Sequence, residues 1–188
     1  LADSITTQAV YHSVPVDMIG ILIFIGDILI SGYIIFVSLK ARQYLVTGIT
    51  ILQLILLCAV EYLALADHAH IPELFSDQLS GIMAAIIGVI GGLICVYALG
   101  YMREYHAEHP DRPDKRPRFF GIMFLFLSAM FGVVFSNNLL WLFFFWEITT
   151  LCSFLLIRYP ETDEAVKNAF RALLFNLVGG ACIPVAFL

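Results

Sequence analysis

The stretch LLWLFFFWEITTLCSFLLI, running from Leu139 to Ile157, is apolar throughout except for Glu147 and a few small polar residues. A helix takes about 20 apolar residues to cross the hydrocarbon core of a bilayer, and this stretch has that length. Glu147 is its only carboxylate and stands near its centre, about 15 Å from the C-terminal end at the helical rise. An ionised side chain at that depth costs about 2.5–3.5 kcal/mol on the insertion scale, so such residues turn towards a protein or water interior. There a carboxyl either meets a cation or keeps its proton, because a low-dielectric setting disfavours the bare charge. A group balanced between those states can relay protons. Thr150 lies one turn further on the same face and can hold a water beside it. The alternative for Glu147 is structural, a protonated side chain bonded to a neighbouring helix.

Outward from this stretch, the chain carries six apolar runs, at 16–39, 44–66, 79–102, 119–136, 139–157 and 168–188. No run alternates with a period of two, which disfavours a transmembrane barrel. The expected fold is all-α, a polytopic transmembrane bundle of about six helices. Composition agrees: 61% of the 188 residues are hydrophobic and 13% charged, against about a quarter charged in soluble domains. A mean hydropathy of +0.91 makes lipid the main solvent, so the net charge of -5 says little about partners. The chain starts at Leu1 without Met, shows no signal peptide, and stops at Leu188 inside an apolar run, so a fragment of a longer chain is expected.

Every Lys and Arg falls at an odd-to-even connection. Lys40 and Arg42 lie between runs 1 and 2. Arg103, Arg112, Lys115, Arg116 and Arg118 lie between runs 3 and 4, and Arg158, Lys167 and Arg171 flank the passage from run 5 to run 6. The other connections, Asp67 to Gln78 and Ser136-Asn137-Asn138, hold none. By the positive-inside rule the basic connections are cytoplasmic and the N-terminus is outside. The loop from Arg103 to Arg118 mixes carboxylates with its cations and contains Pro110, Pro113 and Pro117, so it reads as a solvated connector and not as a nucleic-acid surface.

Two more carboxylates sit within apolar runs. Asp27 is deep in the first, near Gly26, Ser31 and Gly32, and a functional and a packing role are evenly balanced; Glu61 in the second is close enough to the helix end to reach the interface. Gly81, Gly88 and Gly92, with Ala84 and Ala85, form a small-residue stripe on run 3 that lets a neighbouring backbone approach. Cys58, Cys95, Cys152 and Cys182 fall singly in four runs, which suggests small apolar packing rather than disulfides or zinc. His12, His68, His70, His106 and His109 lie outside the runs, which tells against haem ligation; His68 and His70 beside Asp67 and Glu73 read as a solvated loop before a metal site. Nothing matches a phosphate loop, a Ser-His-Asp set or a nucleotide fingerprint, so no cofactor, metal or catalytic residue is expected.

Ser136 to Ile157 resembles a segment of the antiporter-like membrane subunits, the family of the large proton-pumping subunits of respiratory complex I, Mrp-type cation/proton antiporters and membrane-bound hydrogenase or formate hydrogenlyase subunits. Phe75 to Met83 with Tyr97 to Met102 is similar to the family's third helix, and Arg171 to Gly180 to its sixth. The resemblance covers roughly residues 75–188. The Leu177-Val178-Gly179-Gly180 run is more similar to the hydrogenase or Mrp branches than to complex I, which usually carries Arg-Val-Gly-Asp there.

The resemblance implies two inverted five-helix repeats starting at helix 4, the first incomplete here, with Glu147 matching a helix-5 glutamate that pairs with a helix-7 lysine. Residues 1–118 then form helices 1–3 with their cytoplasmic loop, and 119–188 begin the proton-conducting repeat. The expected function is proton translocation or cation/proton antiport within a multisubunit complex, the alternative being a structural anchor that moves nothing. Glu147, Thr150, Arg171 and Asp27 make up the expected proton pathway. Expected partners are other membrane subunits, the bilayer, and protons or Na+, with no nucleic acid, in the inner membrane of a prokaryote.

Overall fold

The computed structural model describes residues 10–12, 17–67, 72–110 and 113–185. They form a short strand β1 (Val10–His12), helices α1 (Asp17–Lys40) and α2 (Tyr44–Asp67), a strand β2 (Leu74–Ser76), and helices α3 (Gln78–Glu108), α4 (Arg116–Phe135), α5 (Leu139–Ile157) and α6 (Asp163–Val185). Among the described residues, five of the six helices are long and apolar enough to cross a membrane. The protein is an all-α polytopic membrane bundle.

Local chemistry sets the helix ends. Asn138 caps α5, its side-chain oxygen accepting from the Leu140 amide at 2.8 Å. Asp77 and Ser80 form a reciprocal capping box on α3. Helix α6 starts five residues before run 6 because Thr162 caps it, Oγ1 accepting from the Ala165 amide at 3.1 Å. Helix α3 also runs on to Glu108, so the first third of the expected Arg103–Arg118 loop, His106 included, is helical. Nothing before Pro110 breaks a helix, and Tyr97, Tyr101 and Tyr105 stack at one-turn spacing along it. Helix α4 begins at Arg116, earlier than run 4, because proline is tolerated in a first turn. The β1–β2 pair, antiparallel with Tyr11 opposite Phe75, carries no sequence signal strong enough to have been expected.

Contacts between connections define two ends of the bundle. At one, Asn137 joins the α4–α5 turn to the α2–α3 loop, donating through its amide to the Glu73 carbonyl and through Nδ2 to the Pro72 carbonyl. At the other, Lys115 bonds Glu161 at 2.7 Å and ties the α3–α4 loop to the α5–α6 turn. The described Lys and Arg residues belong to this second end. Its tight turns contain Arg42 and Glu161 in left-handed backbone conformation.

Helix α5 packs on α1, α4 and α6, while α2 packs on α1 and α6; α3 is peripheral and rests on α4. The bundle is inverted relative to a soluble protein. Asp27, Ser31, Ser38, Thr50, Gln53, Glu147 and Thr150 are buried, whereas Leu29, Phe36, Leu45 and Phe175 are exposed. In lipid no hydrophobic force drives helices together, so close packing and polar contacts do. The small-residue contact on α3 differs from the expected stripe: Gly88 and the buried Gly91 pack against Phe131 and Leu127 of α4, while Gly81 and Gly92 have nothing within 4 Å. The docked ridge follows i, i+3 spacing and not the Gly88/Gly92 pair.

Candidate functional site

The buried face of each inner helix has a polar middle and apolar ends. On α1 the buried positions run Ile23, Asp27, Ser31, Ile34; on α2, Val46, Thr50, Gln53, Leu57; on α5, Phe143, Glu147, Thr150, Phe154. These spacings of three and four keep each set on one helix face. Stacked side by side, they build a polar layer between two apolar clusters. Ile23, Leu57, Leu140 and Phe143 close it on one side. Ile34, Val46, Phe154, Phe170 and Leu173 close it on the other.

Glu147 lies within this layer, 1% exposed and at the middle of α5. Gln53 Nε2 donates to its Oε1 at 2.9 Å, and Ser31 Oγ donates to its Oε2 at 3.3 Å. Asp27 sits one turn before Ser31 on the same face of α1, fully buried, with no hydrogen-bond partner for either carboxyl oxygen among the described residues. Gln53 Oε1 and Trp146 Nε1 also lack one. Neither carboxyl has an ion-pair partner among the described residues. Two bare carboxylates in one occluded layer would repel each other, so at least one of them needs a proton or a counter-charge there.

Gly180 of α6 makes room for this arrangement. A Cβ there would stand 2.6 Å from Gln53 Nε2 and 3.1 Å from Trp146 Nε1. Gly26 plays a comparable part on α1, where a Cβ would stand 2.7 Å from the Phe144 ring. From the polar layer, hydroxyls continue towards the basic end. Thr50 Oγ1 donates to the Val46 carbonyl at 2.9 Å, Thr47 Oγ1 to Ser38 Oγ at 3.0 Å, and Ser38 Oγ to the Gln43 carbonyl at 2.7 Å in the α1–α2 turn. Ile34 and Val46 interrupt this line.

Of the residues singled out in the sequence, Glu147, Thr150 and Asp27 share the buried interior. Arg171 does not join them; it lies on the exposed face of α6, between the buried Phe170 and Leu173. The side chain of Glu61 and residues His68 and His70 lie outside the described residues, among which no group of three or more metal-ligating side chains occurs. The four cysteines are free, with Cys152 buried and Cys58 and Cys182 exposed. Gln53, Trp146 and Gly180 were missed. Gln53 had a usable signal, as the one amide side chain in run 2.

Residues 136–188, which contain α5, α6 and Glu147, match the family model described as NADH:quinone oxidoreductase/Mrp antiporter, TM. Residues 70–120 match that of NADH-Ubiquinone oxidoreductase (complex I), chain 5 N-terminus. Both matched segments are thus similar to antiporter-like membrane subunits. Its relatives include Na(+)/H(+) antiporter subunit A1 of Staphylococcus haemolyticus, 32% identical over 117 residues, which are 62% of this chain and 14% of that protein. The same-named protein of Staphylococcus aureus is 32% identical over 109 residues, 57% of this chain and 13% of the relative. The chain thus spans about a seventh of the length of the curated relatives it matches. No solved structure matches it. Asp27, Ser31 and Gln53 precede both model-matched segments, so the structure alone joins them to Glu147.

Proposed function

We propose that this chain contributes the opening helices of a proton-translocating, cation/proton-antiporting subunit in a multisubunit complex of the bacterial cytoplasmic membrane, with Glu147 as its gate carboxyl. The observation that carries the proposal is the occluded polar layer, in which Glu147 accepts from Ser31 and Gln53 beside Asp27, which has no partner among the described residues. A carboxyl held by neutral donors, with no fixed cation, can exchange a proton without leaving a permanent charge pair behind. Thr150 extends the polar face of α5, and the Ser38–Thr47 pair marks the route to the basic end, which the positive-inside rule makes cytoplasmic. Residues 119–188 begin the conducting repeat, with residues 1–118 placing α1 and α2 against it. Arg171, exposed on a membrane-spanning helix, offers its charge to an adjoining membrane segment or subunit. The names of the relatives favour sodium–proton exchange over a redox-driven pump.

In the full-length subunit within its complex, Glu147→Gln keeps both neutral hydrogen bonds in reach and removes the exchangeable proton. Proton translocation in inverted vesicles is expected to fall at least tenfold with assembly intact. Normal translocation by a fully assembled variant would overturn the proposal.

A further inference from the structure

Away from the polar layer, a cavity of about 250 Å³ opens where α1 and α4 pack on α5 at the basic end of the bundle. We infer that this cavity binds the headgroup of an anionic phospholipid, with one acyl chain lying along the groove below it. Lys115, Arg118 and Arg158 line its rim with a single carboxylate, Glu161, leaving two net positive charges.

Lys115 already bonds Glu161 and holds that carboxyl below its ordinary range. Arg118 and Arg158 have no carboxylate partner within 4 Å among the described residues, although Arg158 is stacked 6.0 Å from the Phe154 ring. Two unpaired guanidiniums on one rim match a phosphodiester, which they can hold in bidentate fashion. Helix α4 starts here, but the Asp114 carboxylate accepts from its Arg116 amide at 3.0 Å and offsets the positive helix end, so the rim cations carry the attraction.

The vertical order of the walls distinguishes a lipid from a soluble anion. The cations sit where α4 begins and α5 ends, at the level of a headgroup. Ile122 lies about 6 Å further in along α4 than Arg118, and Leu155 and Tyr33 line the same cavity on the membrane side of the rim. A charged rim above an apolar floor suits a molecule with a phosphate and a hydrocarbon chain. Basic pockets between helices on the cytoplasmic side are established binding places for anionic headgroups in general.

The test uses the full-length protein in its native complex, purified in mild detergent and examined by native mass spectrometry with added phosphatidylglycerol or phosphatidylcholine. Phosphatidylglycerol should be retained preferentially. The double variant Arg118→Gln with Arg158→Gln should weaken its retention about 30-fold, near fivefold for each cation. Arg118→Lys with Arg158→Lys, which keeps the charge but not the bidentate fork, should restore part of it, and Lys40→Gln, at the same end of the bundle but outside the cavity, should leave it unchanged. Equal retention of the two lipids, or an equal effect of Lys40→Gln, would overturn the assignment. So would complete displacement of the lipid by inorganic phosphate at matched concentration, which would make this a free-anion site.

Discussion

Gly180→Ala tests whether the Gln53–Glu147 hydrogen bond matters to transport. The new methyl would stand 2.6 Å from Gln53 Nε2, where ordinary contact begins near 3.4 Å, so the amide must withdraw by about 1 Å. Its bond to Glu147 Oε1 is 2.9 Å, and a shift of that size takes it beyond hydrogen-bonding distance. The end of a glutamine side chain moves easily, so α6 itself need not be displaced. A hydrogen bond to a charged group is worth about 1.5–3 kcal/mol, and leaving Gln53 further unsatisfied in a dry layer adds to the loss. Transport, measured as the fluorescence response to a pH gradient in inverted vesicles, should therefore fall at least tenfold. Assembly should hold, because alanine is the better helix former by about 1 kcal/mol and the backbone alone would favour the variant. The adjacent Gly179→Ala is the control: its Cβ would meet Trp146 at 3.7 Å, an ordinary contact, and transport should be normal. Gln53→Leu, which removes the amide without adding an atom at Gly180, should reproduce the defect. A fully active Gly180→Ala variant, or equal defects at Gly179 and Gly180, would refute the reasoning.

Asp27→Asn removes a buried charge that no described residue satisfies, so thermal stability of the assembled complex should stay the same or rise while transport falls; loss of assembly would show that the carboxylate is structural. Gly132→Ala would press a methyl into the Phe145 ring at the α4–α5 contact and should destabilise by about 1–3 kcal/mol, whereas Gly92→Ala, with nothing within 4 Å, should be close to neutral in the same thermal assay.

Helix number and the place of Glu147 were legible in the sequence because both follow from the bilayer: its thickness sets run length, and the cost of charge makes a central carboxylate conspicuous. Run 5 coincides with α5 at both ends because Asn138 caps it and the Arg158–Thr162 turn closes it. The ends of α3 and α6 were less legible. Hydropathy stops where polar residues begin, but the helix continues to Glu108 and starts at Asp163, until a proline or a cap ends it. The partners of Glu147 were not legible at all. Ser31 and Gln53 lie 116 and 94 residues away along the chain, and only the packing of α1 and α2 brings them to the carboxyl. Arg171 shows the converse. A basic residue in a family motif looked like a pathway member, yet its helix phase turns it outward from this bundle.

The polar layer also bears on how an ion would gain entry. Phe143 and Leu140 bound it on one side, Phe154 and Ile34 on the other, and both pairs are nearly inaccessible to solvent. Glu147 is therefore sealed from both ends in the described conformation. A carboxyl sealed this way cannot exchange protons with either bulk phase until one apolar cluster loosens or water enters between its side chains. The two clusters differ in how firmly they are built. Among the described residues the Phe154 side enlists α1, α2, α5 and α6, whereas the buried members of the Phe143 side come from α1, α2 and α5. Among the described residues, fewer helices must separate to hydrate the Phe143 side, at the end opposite the basic connections. The first access to Glu147 should accordingly open there, with the hydroxyl line through Thr50, Thr47 and Ser38 serving the exit towards the other end.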